Sequence, residues 1–516
     1  MSSFGFQNLK FTRNCFLPTA PIFFSPVVSM DNDFPEFGWL IALITYTNYA
    51  LLLFLGHFRD FLRNIFGVTR FKNDTPKKGF AILLKSWESF YTRRLYYRIR
   101  DCWSRPIASS PGKYIEVMER TSSDWNYTFE YTQKTIKCLN LGSYNYLGFA
   151  DNWQDSCGKD VKGALCEWPI NLSSSRMDFG TVSIHGKLED TLARFLKKEA
   201  VIVFSMGYGT NSSTIPSLMG PGSLIISDAL NHTSIVNGAR SSGAVIRVFK
   251  HNDVKQLESV IRDAIIQGQP KHHRPWRKIL VMVEGIYSME GTVCRLKEVV
   301  AIAKKYKAYL YVDEAHSIGA IGATGRGVCE YTGVDPSDVD ILMGTFTKSF
   351  GGMGGYIAGS KEMIDYLKSS PAGMLVHNAM SPVVCQQVLT ALRVIVGEDG
   401  TKLGREKIQS LADNSRYFHN AMVRLGLHVY GEVGSPIVPI MVYLPAKLGA
   451  FSRECLKRGL AVVVVGFPAT SVILSRVRFC LSASLTREDL DFAIRVIDEV
   501  SSLLMMKYNK NVIGWA

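Results

Sequence analysis

The sequence predicts an α/β fold, with a large domain built on a mostly parallel sheet flanked by helices and a smaller C-terminal α/β domain. Three observations predict it. Short β-rich runs recur at 201–204 (VIVF), 223–227 (SLIIS), 244–249 (AVIRVF), 279–284 (ILVMVE) and 308–313 (AYLYVD). Between them lie stretches such as VKQLESVIRDAII and LKEVVAIAKKY, with apolar residues three and four positions apart. Strands alternating with helical patterns make strand–helix–strand units, which assemble into a parallel sheet covered on both faces. Finally, the residues just after the runs are polar or glycine: SMGYGTN, DALNHTS, GIYSMEG, DEAHSIG and, after VDILM, GTFTKSFGG. Ligands in open α/β sheets bind at the carboxyl ends of strands, so these five segments are the candidate site.

Taken in order, the chain begins with a tail (1–36) and a membrane segment at 37–56, FGWLIALITYTNYALLLFLG. That segment approaches the roughly 20 apolar residues a spanning helix needs and contains no charge. Asp31, Asp33 and Glu36 precede it, while Arg59, Arg63, Arg70, Lys72, Lys77 and Lys78 follow it. The positive-inside rule therefore places the bulk of the chain in the cytosol. A buried core helix or a helix lying in the membrane plane is the alternative, because Thr45, Thr47 and Asn48 make the middle polar. Residues 57–137 form a basic, aromatic juxtamembrane region and N-terminal arm. Within it HFRDFLRNIFGV and ILLKSWESFYTRRLYYRIRDCW read either as membrane-surface helices or as helices packed on the enzyme domain. The large domain follows at 138–377. The small domain occupies 378–516, with a helix at SPVVCQQVLTALRVIVG and strands at PIVPIMVY, LAVVVVG and RVRFCLSA.

The 516 residues are 47% apolar and 20% charged, which describes a globular chain large enough for more than one unit. A net charge of +14 favours an anionic partner such as a lipid headgroup or an acyl-CoA. No tight Lys/Arg run interleaved with aromatics points to nucleic acid. The ten cysteines form no C-x-x-C pair and sit with no histidine at zinc spacing, so neither a disulfide framework nor a metal site is expected. Sequons at Asn73, Asn126, Asn171, Asn211 and Asn231 would invite glycans in a lumen, which weakly favours cytosolic placement.

DEAH after a buried strand is also the spelling of a helicase nucleotide box, which requires G-x-x-x-x-G-K-[ST] upstream. Gly112-Lys113, Gly158-Lys159 and Gly186-Lys187 are each followed by neither Ser nor Thr, so the phosphate loop is missing. In GTFTKSFGG, Lys348 stands among hydroxyls and glycines. A shielded lysine there suits Schiff-base chemistry, with hydroxyls to hold a cofactor phosphate. Pyridoxal phosphate works as an electron sink when its ring nitrogen is protonated, which a carboxylate secures, and Asp313 suits that role. His232 could stack on the ring or simply cap a helix. His316 and Ser288 could reach the ring hydroxyl or substrate, and Gly207 and Tyr208 could place amides and an aromatic ring near the phosphate.

On these segments, together with LNLGSYNYLGFA, SSRMDFGTVSIHGKLE, HRPWRKIL and GFPATSVILSRVRFCLSA, the chain resembles the α-oxoamine synthases of fold-type I. Within them it is similar to the lysine-bearing, long chain base 2 type subunits of eukaryotic serine palmitoyltransferase, over most of 138–490. The resemblance implies Lys348 as cofactor lysine and catalytic base, Asp313 on the pyridine nitrogen, His232 stacked on the ring and His316 near its hydroxyl. It places Thr345 and Thr347 near the phosphate and Arg478 on the serine carboxylate, with Arg476 the neighbouring alternative. The implied reaction is the decarboxylating condensation of L-serine with palmitoyl-CoA to 3-ketodihydrosphingosine, the first step of sphingolipid biosynthesis. Its setting is the endoplasmic reticulum membrane, catalytic domain in the cytosol. Implied partners are a related lysine-lacking subunit, small regulatory membrane subunits and membrane lipid. Another α-oxoamine synthase and a non-catalytic scaffold subunit are the alternatives. Ala229, Gly352-Met353 and Asn378 depart from the family pattern.

Overall fold

A computed structural model describes residues 39–66, 79–80, 92–151, 153, 156–467 and 469–509. The tail, residues 37–38, Arg70 to Lys78 with Asn73, Cys15 and the stretch 81–91 lie outside the described residues.

The first described element is one helix, Trp39–Ile65. The expected span and the basic HFRDFLRNI that follows it are thus continuous, because no proline interrupts the stretch and the single glycine, Gly56, costs about 1 kcal/mol. Residues Ile41–Leu62 are long and apolar enough to cross a membrane. The stretch 92–102 coils into short helical turns that pack on protein. Ile99 lies so close to Gly449 of the helix Pro445–Lys457 that a side chain at 449 would meet it at 2.6 Å, and Cys102 Sγ lies 3.6 Å from the Gly449 carbonyl. Within the stretch expected either at the membrane surface or on the enzyme domain, the described residues 92–102 make these contacts with the protein.

Among the described residues, thirteen strands follow. A hairpin of β1 (Tyr114–Thr121) and β2 (Glu130–Asn140) leads into the large sheet. That sheet comprises β3 (Ala200–Phe204), β4 (Leu224–Asp228), β5 (Val245–Phe249), β6 (Ile279–Glu284), β7 (Tyr309–Asp313), β8 (Ile341–Thr345) and β9 (Gly355–Gly359). The small domain carries β10 (Ile437–Met441), β11 (Leu460–Ala461), β12 (Val463–Val465) and β13 (Arg476–Cys480).

The large sheet runs β3-β9-β8-β7-β6-β4-β5, and every pairing is parallel except the two made by β9. Strand side chains alternate between faces, and the core divides accordingly. Leu224, Ile226, Val281, Val283, Leu310 and Val312 enter one apolar layer, while Ile225, Leu280, Met282 and Tyr311 enter the other. Because both faces are covered by helices, the strands read as continuous apolar runs rather than as alternation. β10, β13 and β12 form an antiparallel sheet, and β11 pairs with β2 in a third. The expected limit at 137/138 falls inside β2, which ties the arm to the small domain.

Candidate active site

Lys348 follows β8, and Glu284 at the end of β6, Asp313 at the end of β7 and Arg478 on β13 are the charged groups that act on it. Burial lowers the ammonium of Lys348 to a pKa of about 8, with the carboxylates of Asp313 and Glu284 working against that shift and Arg478 adding to it. At pH 7 about a tenth of such an amine is neutral, against fewer than one in a thousand for an ordinary lysine, which suits a lysine base or nucleophile. Its Nζ stands 5.7 Å from the centroid of the Tyr144 ring.

Asp313, the last residue of β7, is 3% exposed. Its Oδ2 accepts from Asn211 Nδ2 at 2.7 Å and its Oδ1 from the Ala315 amide at 2.9 Å. Glu284 ends β6 beside it, in register with Asp313, and accepts the backbone N–H of His232. Burial, reinforced by the neighbouring Asp313, pushes the Glu284 carboxyl well above the usual range.

His232 caps the helix Thr233–Ser241 and stands exposed, with Tyr208 edge-on at 6.2 Å. The capping and stacking readings of this histidine are compatible: its Nδ1 accepts from the Ser234 N–H at 3.2 Å, which leaves the ring face free. Desolvation, aided by Lys348 and opposed by Asp313, lowers its pKa. His316 is deeper. Desolvation first, then Lys348 and Arg478, hold it well below the ordinary histidine value. Tyr146, whose phenol burial pushes well up, shares a hydrogen bond of 2.8 Å with His316 Nδ1.

The N-terminus of the helix Gly207–Leu218 meets the end of β8. A Cβ on Gly207 would lie 3.3 Å from Thr345 Cβ, so the missing side chain is what allows helix and strand to meet. Thr345 and Thr347 share a hydroxyl hydrogen bond of 2.7 Å. Thr347 and Tyr208 are exposed, and Tyr208 is hydrogen-bonded to Asn237.

The two arginines of β13 differ. Arg476 is spent on protein: it donates to Glu290 at 3.0 Å and to the carbonyls of Leu474 and Met289 at 3.0 and 2.9 Å. Arg478 lies 4.7 Å over the Tyr144 ring and donates to the Ser288 carbonyl at 3.3 Å, while its Nε is buried with no hydrogen-bond partner among the described residues. Ser288 therefore meets Arg478 through its backbone.

The departures sit as follows. Ala229 is exposed, and its amide pairs with the Phe249 carbonyl. A Cβ on Gly352 would lie 2.8 Å from Val388, which accounts for glycine there, and Met353 is exposed. Asn378 is exposed and forms an isolated bridge with Ser175. Asn211, Glu284, Tyr144 and Tyr146 escaped the sequence reading. The signal for two of them was available, since Asn211 closes SMGYGTN and Glu284 closes the β6 run. The sequon residues Asn211 and Asn231 are buried.

The profile of the aminotransferase class I and II family matches residues 136–497. Long chain base biosynthesis protein 2b of Arabidopsis thaliana is 54% identical over 470 residues, covering 91% of this chain and 95% of that protein. The chain belongs to the serine palmitoyltransferase family. Serine palmitoyltransferase 3 of Homo sapiens is 46% identical, with 98% of this chain and 93% of the relative covered. Among solved structures, the Sphingomonas wittichii serine palmitoyltransferase superposes with a TM-score of 0.72 at 29% identity, over 82% of this chain and 99% of that one. A serine palmitoyltransferase solved with its pyridoxal phosphate bound gives 0.69 at 29% identity, over 79% and 94%. Fold-type I architecture and pyridoxal phosphate as cofactor follow for this family member. The pocket's own chemistry fits that group: a carboxylate for the ring nitrogen, a depressed lysine, an open imidazole face, and amides and hydroxyls at a helix N-terminus for phosphate.

Proposed function

We propose that Lys348 is the cofactor lysine and catalytic base of a serine palmitoyltransferase that condenses L-serine with palmitoyl-CoA, releasing CO2 and CoA. The observation that carries this reading is the pairing of Lys348, its pKa lowered to about 8, with an anchored Asp313 at adjoining strand ends. Pyridoxal phosphate, when bound, supplies an electron sink for a carbanion at the serine α-carbon.

The chain's residues do the rest. Asp313 holds the ring nitrogen, Gly207, Tyr208, Thr345 and Thr347 hold the phosphate, and His232 covers one ring face. Lys348 accepts the α-proton. Neutral His316 and the nearby Ser288 serve the ring hydroxyl and the substrate carbonyl. Arg478 takes the serine carboxylate, because its buried Nε lacks a partner whereas Arg476 is committed to Glu290.

Membrane attachment through Trp39–Ile65 would keep the pocket near acyl chains and a lipid product. The family resemblance supports an endoplasmic reticulum site, a cytosolic catalytic domain, a lysine-lacking partner subunit and small regulatory subunits. The division at 36/37, 56/57, 137/138 and 377/378 is our proposed domain scheme.

The test is the absorption spectrum of the purified complex with and without L-serine, alongside Lys348→Ala. A band at roughly 420 nm that responds to serine and is lost in the variant supports the assignment. A wild-type protein without such a band refutes it.

A further inference from the structure

We propose that Asn211 is a positioning residue that locks the Asp313 carboxylate and the His232 imidazole into one hydrogen-bonded unit beneath the cofactor ring. The inference rests on the reading of this pocket as a pyridoxal-phosphate site.

Asn211 lies in the second turn of the helix Gly207–Leu218 and is 1% exposed. Its amide nitrogen donates to Asp313 Oδ2 at 2.7 Å and to Ser234 Oγ at 2.9 Å. Its amide oxygen accepts the Tyr311 hydroxyl at 2.6 Å. These polarities exclude the reverse orientation of the amide. An ionised carboxylate can only accept, so the NH2 must face Asp313. Burial holds the Tyr311 phenol far above its ordinary value, so it donates and the amide oxygen must face it.

The chain continues outward. Ser234 Oγ, having accepted from Asn211, has its own hydrogen to give His232 Nδ1, 2.7 Å away. Nδ1 also accepts the Ser234 N–H, so the proton of the neutral ring resides on Nε2. One buried amide thus orients the carboxylate that serves the ring nitrogen and, through Ser234, the tautomer of the ring stacked above it. Its own place is fixed by backbone packing: a Cβ at Gly238 would lie 2.8 Å from the Asn211 carbonyl oxygen, so the helix Thr233–Ser241 can approach only because 238 is glycine.

Aspartate has the same shape as asparagine but offers no donor. At 211 it would set two carboxylates against each other, and such a pair shares a proton rather than ionising fully. Asp313 would then hold the ring nitrogen less well, and the effect would depend on pH.

The test uses the full-length protein purified with its partner chain, stripped of cofactor and titrated with pyridoxal phosphate. Affinity, visible circular dichroism and the pH dependence of the band are read, with the melting temperature of the stripped protein as fold control. Asn211→Asp is expected to bind about ten- to hundredfold more weakly, with a shifted pH profile and a near-unchanged melting temperature. A purely structural role would move the melting temperature and leave the pH profile alone. Wild-type affinity together with an unshifted pH profile in Asn211→Asp overturns the proposal. Should Asn211→Asp not fold, Tyr311→Phe and Ser234→Ala decide: each is expected to weaken binding about three- to tenfold, and unchanged affinity in both overturns it. A wild-type protein that forms no band defeats the site reading itself, whereas a normal wild-type band with an unaffected Asn211→Asp defeats only this inference.

Discussion

The pocket at the ends of β6, β7 and β8 buries charge, while the helix Trp39–Ile65 exposes hydrocarbon. Glu284, Asp313 and Arg478 are at most 6% exposed, whereas Trp39, Phe54 and Phe61 are 60% exposed or more. Both invert the usual rule of apolar inside and charged outside, for opposite reasons. Buried ionisable groups are tolerated in the pocket because hydrogen bonds hold them and burial shifts their pKa values, Glu284 upward and Lys348 downward. Exposed apolar side chains along a helix of this length are tolerated where lipid replaces water. Each inversion therefore marks a place where something outside the chain completes the structure.

The pocket side of the contrast breaks most completely at Lys348. Lys348→Ala is expected to lower turnover by about 10²- to 10⁴-fold, measured as serine-dependent product formation.

Next come the two arginines of one strand, which separate a charge held for a ligand from a charge held for the fold. Arg478→Ala is expected to raise the KM for L-serine by about 10²-fold while leaving the melting temperature close to wild type. Arg476→Ala strands Glu290 in the core and is expected to cost about 3–5 kcal/mol, read by denaturant unfolding.

The cost of the buried lysine should be visible in the cofactor-free protein. Its folded pKa of about 8 lies below the unfolded 10.5, so the unfolded chain binds more protons between those values. The penalty, about 3 kcal/mol, is fully present below pH 8 and fades as pH rises toward 10.5. Lys348→Met is thus expected to raise the melting temperature at pH 7, by a margin that shrinks at pH 10.

On the helix side, Leu51→Arg with Leu55→Arg places two charges on one exposed face, at about 2.5–3.5 kcal/mol each near a bilayer centre. The double variant is expected to move from the membrane to the soluble fraction on sedimentation. The smallest effect is at the exposed Thr347, where Thr347→Ala should weaken cofactor binding only a few-fold in an absorbance titration.

Much of this was legible in one dimension. The runs at 201–204, 223–227 and 279–284 are strands because uninterrupted β-rich apolar stretches bounded by turns suit a sheet covered on both faces. Their polar endings marked the site for the same reason that ligands gather at strand carboxyl ends. The reversed strand β9 was hidden, since GYIAG is short and glycine-rich and earns its place only by pairing with β3 and β8. The hairpin of β1 and β2 was hidden as well. Its strands are half solvated and charged, and β2 is held by a partner more than 300 residues away, β11.

By itself the sequence determined the α/β alternation and the apolar helix near the start, and it pointed to Lys348 and Asp313 as candidates, because periodicity, run length and local residue chemistry are properties of neighbours along the chain. Only the tertiary structure decided that Asn211 meets Asp313 and Ser234, that Glu284 holds the His232 amide, and that Arg476 is spent on Glu290 while Arg478 keeps an unpaired nitrogen. Those partners are 23 to 186 residues apart, and a hydrogen bond depends on distance and direction in space, which spacing along the chain does not encode.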